Sequence, residues 1–491
     1  MLSQKKILFR ADGDSNTGLG HLYRLFALVE IYKKRFQFIF VTKASSTNTI
    51  FPNDYPIFFI PEDITIADES LWLYQNFNPS EHIIIADGYQ FKSNYQKQLK
   101  AYGYLLIYID DLVDGKMYAD VIVNHAANID QSKYQIQPYT RFALGTEYAI
   151  LRPSFVKAAQ TERQIIDTTS AFVCFGGADA LDLSYKAAKA LFEIEKIKSI
   201  HVVLGAAYKH PNIEALASQN TQIRLYRNLD EMALCNLMKS CDLAIAPSST
   251  IVYELCAIKM PILSGYFVDN QISIYKALLD KGAIEGAGNL SNFTVEDFKN
   301  KLNMIINQKQ FDHYLKAQQK LFDGQSSNRF IKLLNDFLIS FRKATKEDML
   351  LVYNWSNDPL VRQNSFNTQE IELVNHEKWF NQKIEDDKVL FLIALFDNQP
   401  VGVVRYEIKE DQTIIGVLVA ENFRGNKLSS SFLSESAKYY FKQNHLPIFA
   451  YIKEENKASI KAFESAGYSF YKKESVKEIE SFVYKLEKKG C

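Results

Sequence analysis

A glycine-containing segment with one histidine follows the first apolar run of the chain. That run spans residues 7–9, and Gly18, Gly20 and His21 stand just before an amphipathic stretch with helical spacing. Glycines ahead of a helix allow backbone amides to approach an anionic or polar ligand, and the positive helix end assists. An imidazole titrates near neutral pH, so His21 could accept a proton from water. Arg24, one turn further on, would line the same cleft.

The same segment has two other interpretations. In one, Gly18 and Gly20 only form a turn and His21 caps a helix. In the other, the segment binds a dinucleotide. The sequence supports this interpretation least, because the third glycine of the dinucleotide-binding fingerprint is missing and no ribose-binding acid follows the second strand. By itself the segment therefore leaves these possibilities open.

A second candidate site lies around residue 250. Ser248, Ser249 and Thr250 follow an apolar run and precede a helix. Hydroxyls and backbone amides at a helix start suit a diphosphate, although the same hydroxyls could simply cap the helix. Glu254, just inside that helix, is either a ligand contact or an ordinary first-turn acid.

Two further segments carry glycines at strand ends. Gly176 and Gly177 would permit close approach of the backbone to a ligand in a cleft. In the last third of the chain, a strand, a basic turn with glycine and a helix start follow one another, and together they form a natural pyrophosphate cradle. The residues of this second segment are Val419, Arg424, Gly425, Asn426, Lys427, Leu428 and Ser429.

Alternating short apolar runs and longer amphipathic stretches must position these residues. Between residues 5 and 335 the apolar runs read as buried strands between helices, which predicts parallel sheets in an α/β fold. The series restarts at residues 171–175, so we expect two similar halves with a ligand in the cleft at the strand ends. The expected strands are residues 7–9, 38–41, 83–86, 105–109, 121–123, 171–175, 200–204, 243–246 and 261–263.

The chain is long enough for about three domains of ~150 residues each. We expect these domains at residues 1–160, 161–338 and 339–491. The polar stretch 157–169 is the expected hinge, and residues 311–337 read as one helix. The last domain, with its own strands and helices, is predicted to be a compact mixed α+β unit.

Composition excludes several classes of function. The 57 basic and 57 acidic side chains balance, which argues against nucleic acid or an anionic membrane as the main partner. The five cysteines are odd in number and scattered, so neither a disulfide framework nor a zinc site is expected. Without a targeting segment or a run of about 18 apolar residues, the sequence predicts a cytoplasmic protein.

Several short motifs occur together over residues 5–335. They are Phe9-Arg10-x-Asp12, Gly18-x-Gly20-His21-x-x-Arg24, Asp87-Gly88-Tyr89, Asn124, residues 145–155 with Arg152, and Gly176-Gly177-Ala178-Asp179. As a set they resemble the UDP-sugar hydrolases of pseudaminic acid biosynthesis, which have the GT-B fold and are related to the lipid II glycosyltransferase. The resemblance implies two Rossmann-like domains.

The resemblance also assigns roles to residues. It implies that His21 is the base that activates water against the anomeric carbon of a UDP-linked sugar, with UDP as an already good leaving group. Tyr89 either contacts the sugar or is a packed aromatic. Glu254 resembles the acid that holds ribose hydroxyls. The substrate-binding residues expected on this basis are Gly18, Gly20, Arg24, Asp87, Tyr89, Arg152, Gly176, Gly177, Ser248, Ser249, Thr250, Glu254, Asn270 and Gln271.

Residues 341–488 resemble the GNAT-type N-acetyltransferases. The residues that carry this resemblance are the 424–429 turn, Asn456-x-x-Ser459-x-x-x-Phe463-x-x-x-Gly467-Tyr468, and an opening that includes Arg342, Trp355-x-Asn357-Asp358 and His376-x-x-Trp379. The resemblance implies acetyl-CoA as a cosubstrate, bound by the turn and by Asn456.

Three residues of this domain depart from the GNAT pattern. Lys427 and Ser429 hold places where the family usually has small residues. Phe463 stands where many relatives carry the tyrosine that protonates the CoA thiolate, and the spacing of Tyr468 does not fit that role. His376 either assists deprotonation of an amine or packs against Trp379, and we expect packing. Asn357 and Asp358 either contact the substrate or cap the following helix, and we expect capping.

These observations predict a bifunctional enzyme of nonulosonic acid synthesis. Its last domain would acetylate the 4-amine of a UDP-4-amino-sugar, and its first two domains would hydrolyse UDP-2,4-diacetamido-2,4,6-trideoxy-β-L-altropyranose to the free sugar and UDP. We expect small-molecule partners, contact with other enzymes of the pathway, and no metal. The alternative is a GT-B glycosyltransferase with a non-catalytic acyl-CoA-binding module.

Overall fold

The computed structural model describes residues 3–13, 19–46, 50–307 and 311–488. The chain divides into two compact units. Residues 5–329 form one unit, and residues 330–488 form the other together with Ser3 and Gln4. Ser3 and Gln4 belong to the second unit because the Ser3 hydroxyl and the Gln4 amide both donate to the Asp397 carboxylate, at 2.6 and 2.9 Å.

The first part of the larger unit is a seven-stranded parallel sheet in the order β3-β2-β1-β4-β5-β6-β7. Its central strands are unbroken apolar runs, as parallel strands covered on both faces require. The elements are β1 (Lys6–Arg10), α1 (Gly20–Tyr32), β2 (Gln37–Lys43), β3 (Ile57–Ile60), α2 (Ile66–Asn76), β4 (His82–Asp87), α3 (Ser93–Ala101), β5 (Leu105–Ile109), β6 (Val121–Asn124) and β7 (Arg141–Leu144).

The second part is a six-stranded parallel sheet in the order β10-β9-β8-β11-β12-β13. Its elements are α4 (Pro153–Ala159), β8 (Ser170–Val173), α5 (Leu183–Phe192), β9 (Ser199–Leu204), α6 (Asn212–Gln219), β10 (Ile223–Arg227), α7 (Glu231–Lys239), β11 (Leu243–Pro247), α8 (Thr250–Ile258), β12 (Ile262–Tyr266), α9 (Ile272–Asp280), β13 (Glu285–Asn289), α10 (Val295–Ile306), α11 (Asp312–Leu321) and α12 (Ser326–Leu338).

Helix α4 packs in the core of the second sheet. Leu151, Phe155 and Ala159 lie in one apolar cluster with Tyr253 and Leu255 of α8. The Lys259 ammonium, at the end of α8, donates to the carbonyl of Ala159 at 2.7 Å. The chain therefore crosses to the second sheet before α4, which is earlier than the expected boundary at residue 160.

The single helix expected over residues 311–337 is wrong. The structure has two helices there, because the chain leaves the helical conformation at Phe322 (φ −125°, ψ 78°), and Gly324 in the connection has a φ of +70°. The second of these helices, α12, contains the boundary between the two compact units, at residues 329 and 330.

The smaller unit is built on a mixed seven-stranded sheet in the order β14-β15-β16-β17-β18-β20-β19. All neighbours are antiparallel except β17 and β18. Its elements are β14 (Ile339–Lys343), α13 (Met349–Ser356), α14 (Pro359–Asn364), α15 (Leu373–Glu385), β15 (Val389–Phe396), β16 (Gln399–Ile408), β17 (Thr413–Val419), α16 (Ser429–Phe441), β18 (Ile448–Lys453), α17 (Lys457–Ser465), β19 (Ser469–Val476) and β20 (Ile479–Leu486).

The predicted fold class is confirmed by this topology. Two parallel, Rossmann-like α/β bodies are followed by a mixed α+β body. In each parallel sheet the candidate residues follow the carboxyl ends of strands, which is where open α/β sheets bind ligands.

Candidate functional sites

The first candidate site lies at the carboxyl ends of three neighbouring strands. His21 and Arg24 are in the first turns of α1, Asp87 ends β4, and Asp111 follows β5. Parallel pairing of β1, β4 and β5 places these strand ends at one edge of the sheet. Four charged or titratable side chains that are up to 90 residues apart in sequence thus meet in one cluster.

His21 is held by a carboxylate. Its Nδ1 lies 2.7 Å from Oδ1 of Asp87, and the Asp87 side chain is fully buried. Nη2 of Arg24 also lies 2.9 Å from this nitrogen. In the tautomer with its hydrogen on Nδ1, His21 donates to Asp87 and Nε2 carries the lone pair. The His21 side chain is 13% exposed and is held against a buried acid.

Arg24 joins Asp87 to a second acid. Its guanidinium donates to both oxygens of Asp87, at 2.7 and 2.8 Å, and to both oxygens of Asp111, at 2.7 Å each. Burial alone raises the pKa of Asp111, but the charge and hydrogen bonds of Arg24 outweigh it and leave that pKa below its ordinary value.

These contacts bear on the roles expected for Asp87 and Arg24. Both oxygens of Asp87 are occupied by His21 and Arg24, and the residue has no exposed surface. Arg24 is 7% exposed and pairs with two carboxylates. In this arrangement both side chains hold His21, and the substrate contacts expected at the two positions stay predictions.

Asp111 was missed by the sequence analysis. The signal was present, because two consecutive acids, Asp110 and Asp111, follow β5 at the functional edge of the sheet. The structure separates their roles. Asp110 accepts from the amides of Leu112 and Val113 and so shapes the turn, whereas Asp111 faces Arg24 and is 24% exposed.

Tyr89 links the histidine to the second body. Its ring meets the His21 ring edge to face, with centroids 4.8 Å apart, and 40% of the residue is exposed. Its side chain is also hydrogen-bonded to Asn270, which follows β12 of the second sheet. Burial first and Asp111 second raise the pKa of Tyr89, so its hydroxyl stays protonated. Tyr89 therefore contacts both His21 of the first body and Asn270 of the second.

The Phe9-Arg10-x-Asp12 motif is a structural network. Arg10 is 1% exposed and pairs with Glu69 at 2.7 Å and with Asp12 at 2.5 Å. Asp12 also accepts from the amide of Lys43 at 2.8 Å. The motif thus anchors the start of the segment that leads to α1. Gly18, which we expected to bind substrate, lies outside the described residues, and Gly20 is the exposed first residue of α1.

Arg152 and Glu254 form a bidentate ion pair in the second body. Nε and Nη2 of Arg152 lie 2.7 Å from the two oxygens of Glu254. Burial raises the pKa of Glu254, although the hydrogen bonds and charge of Arg152 oppose this. The carboxylate keeps lone pairs beyond those used by Arg152, so the expected ribose contact at Glu254 stays a prediction. The expected contact at Arg152 is better described as holding Glu254 in place.

The expected substrate contact at Ser248 is wrong. Its side chain is fully buried, and its hydroxyl is 2.8 Å from the hydroxyl of Ser264 on β12. Its amide donates to the carbonyl of Gly265. By contrast, Ser249 precedes the first residue of α8, Thr250; both are partly exposed, and the Ser249 side chain makes no capping hydrogen bond. The start of α8 therefore offers backbone amides and hydroxyls to a ligand.

A glycine turn follows β8. Gly176 adopts a φ of +84°, and a Cβ on either Gly176 or Gly177 would meet only open space. Gly205 explains how the turn is supported, because a Cβ there would lie 2.2 Å from the Gly177 carbonyl oxygen. Gln271 is buried and its Oε1 accepts from the Phe267 amide at 3.0 Å, which fixes the loop that carries Asn270.

The candidate acetyl-CoA site lies where β17 and β18 separate. These strands pair only at Thr413 with Ile448 and at Ile414 with Phe449, although they are seven and six residues long. The remaining length of each strand diverges from the other. The turn expected to hold a pyrophosphate begins at the divergent end of β17.

This turn has the backbone of an anion cradle. Gly425 has a φ of +76° and Lys427 a φ of +56°, so a lysine adopts the left-handed conformation usually left to glycine. Helix α16 then starts at Ser429 with neither a side-chain cap nor an acid in its first turn. Arg424 holds the turn in place, with Nε 3.0 Å from the Val419 carbonyl oxygen and Nη2 2.8 Å from Asp358.

The structure shows the contacts of several residues to which we assigned roles in the acetyltransferase domain. Asp358 caps α14 by accepting from the Val361 amide, and His376 is 1% exposed and packs 5.3 Å from Trp379; both predictions are confirmed. The cap expected at Asn357 is wrong, because its side chain exchanges hydrogen bonds with the backbone of Ile371, at 2.8 Å each. Asn456 uses its Oδ1 to cap α17, so only its remaining amide group is available to a ligand.

Neither Phe463 nor Tyr468 is positioned to donate a proton to a CoA thiolate. Phe463 and Tyr468 are each 3% exposed and pack against each other, with ring centroids 4.9 Å apart. Both belong to the core between the sheet and its helices. Tyr468, for which we expected no catalytic role, is therefore a core residue.

Among the described residues, no group of three or more His, Cys, Asp or Glu side chains is arranged to hold a metal ion. Cys174, Cys235, Cys241 and Cys256 are buried free thiols. Within the same residues, no helix combines the length and the apolar character needed to cross a membrane.

Comparison with known proteins agrees with this division. Residues 339–469 match the family model described as an acetyltransferase (GNAT) domain. The chain is an enzyme with a C-terminal GNAT acetyltransferase domain. A full-length relative, an uncharacterized protein of Methanocaldococcus jannaschii, is 25% identical over 489 residues, covering 95% of this chain and 97% of the relative.

Two relatives match the region before the acetyltransferase domain. The spore coat polysaccharide biosynthesis protein SpsG of Bacillus subtilis is 26% identical, covering 56% of this chain and 80% of SpsG. The UDP-2,4-diacetamido-2,4,6-trideoxy-beta-L-altropyranose hydrolase of Campylobacter jejuni is also 26% identical, covering 56% of this chain and 97% of the hydrolase. A hydrolase-like region is thus fused to the GNAT acetyltransferase domain.

Two solved structures are similar to parts of this chain. MurG of Acinetobacter baumannii has a TM-score of 0.48 and 14% identity, covering 67% of this chain and 99% of MurG. Spermidine N-acetyltransferase of Vibrio cholerae, solved with CoA and spermine, has a TM-score of 0.29 and 14% identity, covering 31% of this chain and 96% of that structure.

Proposed function

We propose that the protein carries out two consecutive reactions on a UDP-linked amino sugar. The acetyltransferase domain transfers an acetyl group from acetyl-CoA to the 4-amine of a UDP-4-amino-sugar. The two α/β bodies then hydrolyse the product, UDP-2,4-diacetamido-2,4,6-trideoxy-β-L-altropyranose, to the free sugar and UDP. The observation that carries the hydrolase half is the His21–Asp87 pair at the cleft, together with the similarity to the Campylobacter jejuni hydrolase.

The hydrolytic step follows from the orientation of His21. Nε2 takes a proton from a water molecule while the water oxygen attacks the anomeric carbon, and the bond between that carbon and the UDP oxygen breaks. Asp87 stabilises the imidazolium that forms, because it accepts the hydrogen bond from Nδ1. Tyr89, whose ring meets that of His21, and its partner Asn270 would contact the sugar.

The second body is suited to hold the leaving group. Free amides at the start of α8 and the glycine turn at Gly176 suit the diphosphate. Glu254, held by Arg152, would accept hydrogen bonds from the ribose hydroxyls. UDP needs positioning more than protonation, which fits a site that offers backbone donors.

The acetyl step takes place in the smaller unit. The amine nitrogen attacks the thioester carbon, the carbon–sulfur bond breaks to release CoA, and the proton lost by the nitrogen ends on the CoA sulfur. Amides of the turn at Gly425 and of the start of α16 would bind the CoA pyrophosphate. The match to the GNAT family model supports acetyl-CoA as the donor.

One reaction mixture tests both halves. The purified protein is incubated with the UDP-4-amino-sugar and acetyl-CoA, and the products are identified by mass spectrometry and NMR. We expect acetylated free sugar and UDP in equal amounts. Acetylated UDP-sugar that accumulates intact would contradict the hydrolase half and favour a glycosyltransferase, and an unmodified amine would contradict the acetyltransferase half.

A His21→Gln variant is the matched control. It keeps a polar side chain but removes the base, so UDP release should fall by at least ~100-fold while acetylation continues at the wild-type rate. UDP release at the wild-type rate would contradict the role of His21. Loss of both activities in a folded variant would contradict the assignment of the two reactions to two sites.

A further inference from the structure

We infer that Asp111 is an electrostatic partner of the His21 base that acts through Arg24. The inference rests on the proposed hydrolysis. Asp111 neutralises Arg24, so that the negative charge of Asp87 stays available to the imidazolium that His21 becomes during the reaction. Without Asp111, Arg24 would cancel the charge of Asp87.

The charge count within the described residues supports this role. The side chains that face His21 are Arg24 from its own helix, Asp87 from the end of β4, Tyr89 from the loop after β4, and Asp111 from the end of β5. One cation and two carboxylates leave one net negative charge. When His21 gains a proton, the cluster becomes neutral, and the charged base is therefore favoured.

Two other titratable groups near the cluster contribute no charge, and the Asp110 carboxylate is bound instead by the Leu112 and Val113 amides and the Tyr134 hydroxyl. Tyr89 stays protonated, as its raised pKa indicates. His125, which follows β6, is 3% exposed, and burial followed by the charge of Arg24 lowers its pKa to about 4. Its Nδ1 accepts from the Ile150 amide at 3.3 Å, which is a contact of the neutral ring. Asp111 is thus the carboxylate whose negative charge offsets the positive charge of Arg24.

The geometry of Asp111 fits a role exerted through another residue. Nη1 of Arg24 lies 2.7 Å from both of its carboxylate oxygens, while Nε and Nη2 donate to Asp87 and Nη2 also lies 2.9 Å from Nδ1 of His21. An asparagine at position 111 could still accept a hydrogen bond from Nη1, and Asp87 would still hold the guanidinium. Asp111→Asn therefore removes a charge and leaves the framework.

The first measurement is the pH dependence of UDP release. Removing a negative charge disfavours the imidazolium, so His21 stays a free base to lower pH in the variant. We expect the acidic limb of the kcat/KM profile of Asp111→Asn to move down by about one pH unit, and the plateau to fall about three- to tenfold because the charged base is less stabilised. Asp111→Glu, which keeps the charge, should restore the wild-type limb.

Asp114→Asn is the matched control. It removes the same charge from an exposed position on the same loop, where water screens it. Its profile should coincide with that of the wild type. If Asp111→Asn and Asp114→Asn both coincide with the wild type, or both move equally, the inference is wrong.

A second measurement does not depend on activity. Diethyl pyrocarbonate modifies neutral imidazoles, and the modification of His21 can be followed by peptide mass spectrometry as a function of pH. We expect half-maximal reactivity of His21 at a pH about one unit lower in Asp111→Asn than in the wild type. An unchanged midpoint would overturn the inference. A wild type that releases no UDP would contradict the proposed hydrolysis, and the labelling would still decide the role of Asp111.

Discussion

At the scale of the residue, the hydrolase site depends on which side chains are free and which are occupied. Nδ1 of His21 lies against Asp87 and Arg24, and its Nε2 makes no hydrogen bond within the described residues. Asp87 and Arg24 have every polar atom directed at neighbours within the protein. Residue type alone suggested one base and two substrate contacts here, whereas the structure joins the two expected contacts to each other and to His21.

Asp87→Asn tests this hierarchy. The amide is neutral, so it cannot stabilise the imidazolium, and it can present its NH2 group to Nδ1 and so favour the wrong tautomer. We expect kcat for UDP release to fall by ~10²- to 10⁴-fold with a much smaller change in KM. The rate of acetyl transfer in the same sample is the control. A large rise in KM with unchanged kcat would show that Asp87 contacts the substrate after all.

At the scale of the element, the turn between β17 and α16 shows how a sequence can depart from a family pattern and keep its backbone. Lys427 occupies a left-handed position at a φ of +56°. A Cβ in this conformation costs about 1 kcal/mol relative to glycine. The turn holds nevertheless, because Arg424 ties it to Val419 and to Asp358.

The comparison of Lys427→Gly with Lys427→Ala isolates this strain. Both variants lose the ammonium group, but only glycine relieves the backbone. We expect the free energy of unfolding of Lys427→Gly to exceed that of Lys427→Ala by about 1 kcal/mol in chemical denaturation. Equal stabilities would mean that Lys427 does not keep its left-handed conformation in solution.

At the scale of the whole molecule, each proposed reaction belongs to a different compact unit. His21 and Glu254 lie in residues 5–329, and the turn at Gly425 lies in the unit that begins at residue 330. Each ligand should therefore stabilise its own unit, since a ligand that binds only the folded form at 100 times its Kd adds about 2.7 kcal/mol.

Hydrogen exchange with mass spectrometry can locate both ligands. UDP should slow exchange at the start of α8 and around Gly176, and acetyl-CoA should slow exchange at residues 424–431. The His21→Gln variant should show the same UDP protection, because His21 is proposed to act on the sugar side. Protection by acetyl-CoA confined to residues 5–329 would contradict the assignment of that ligand.

The sequence by itself determined the elements and their class. Apolar runs, helical periodicity and glycine turns are local patterns, so the expected strands are found in the structure. Local patterns also located the segment with His21 and the turn before α16. The break at Gly324 was missed, because the helical periodicity continues on both sides of it.

Only the tertiary structure decided how the candidate residues divide the work. Strand pairing brings Asp111 to Arg24 across 87 positions of sequence, and packing turns the Ser248 hydroxyl toward Ser264 and away from a ligand. The pair of Arg152 with Glu254 likewise joins residues 102 positions apart. Such contacts depend on which strand ends share an edge of the sheet and on which side chains already have partners. Neither can be read from the residues that are adjacent in sequence.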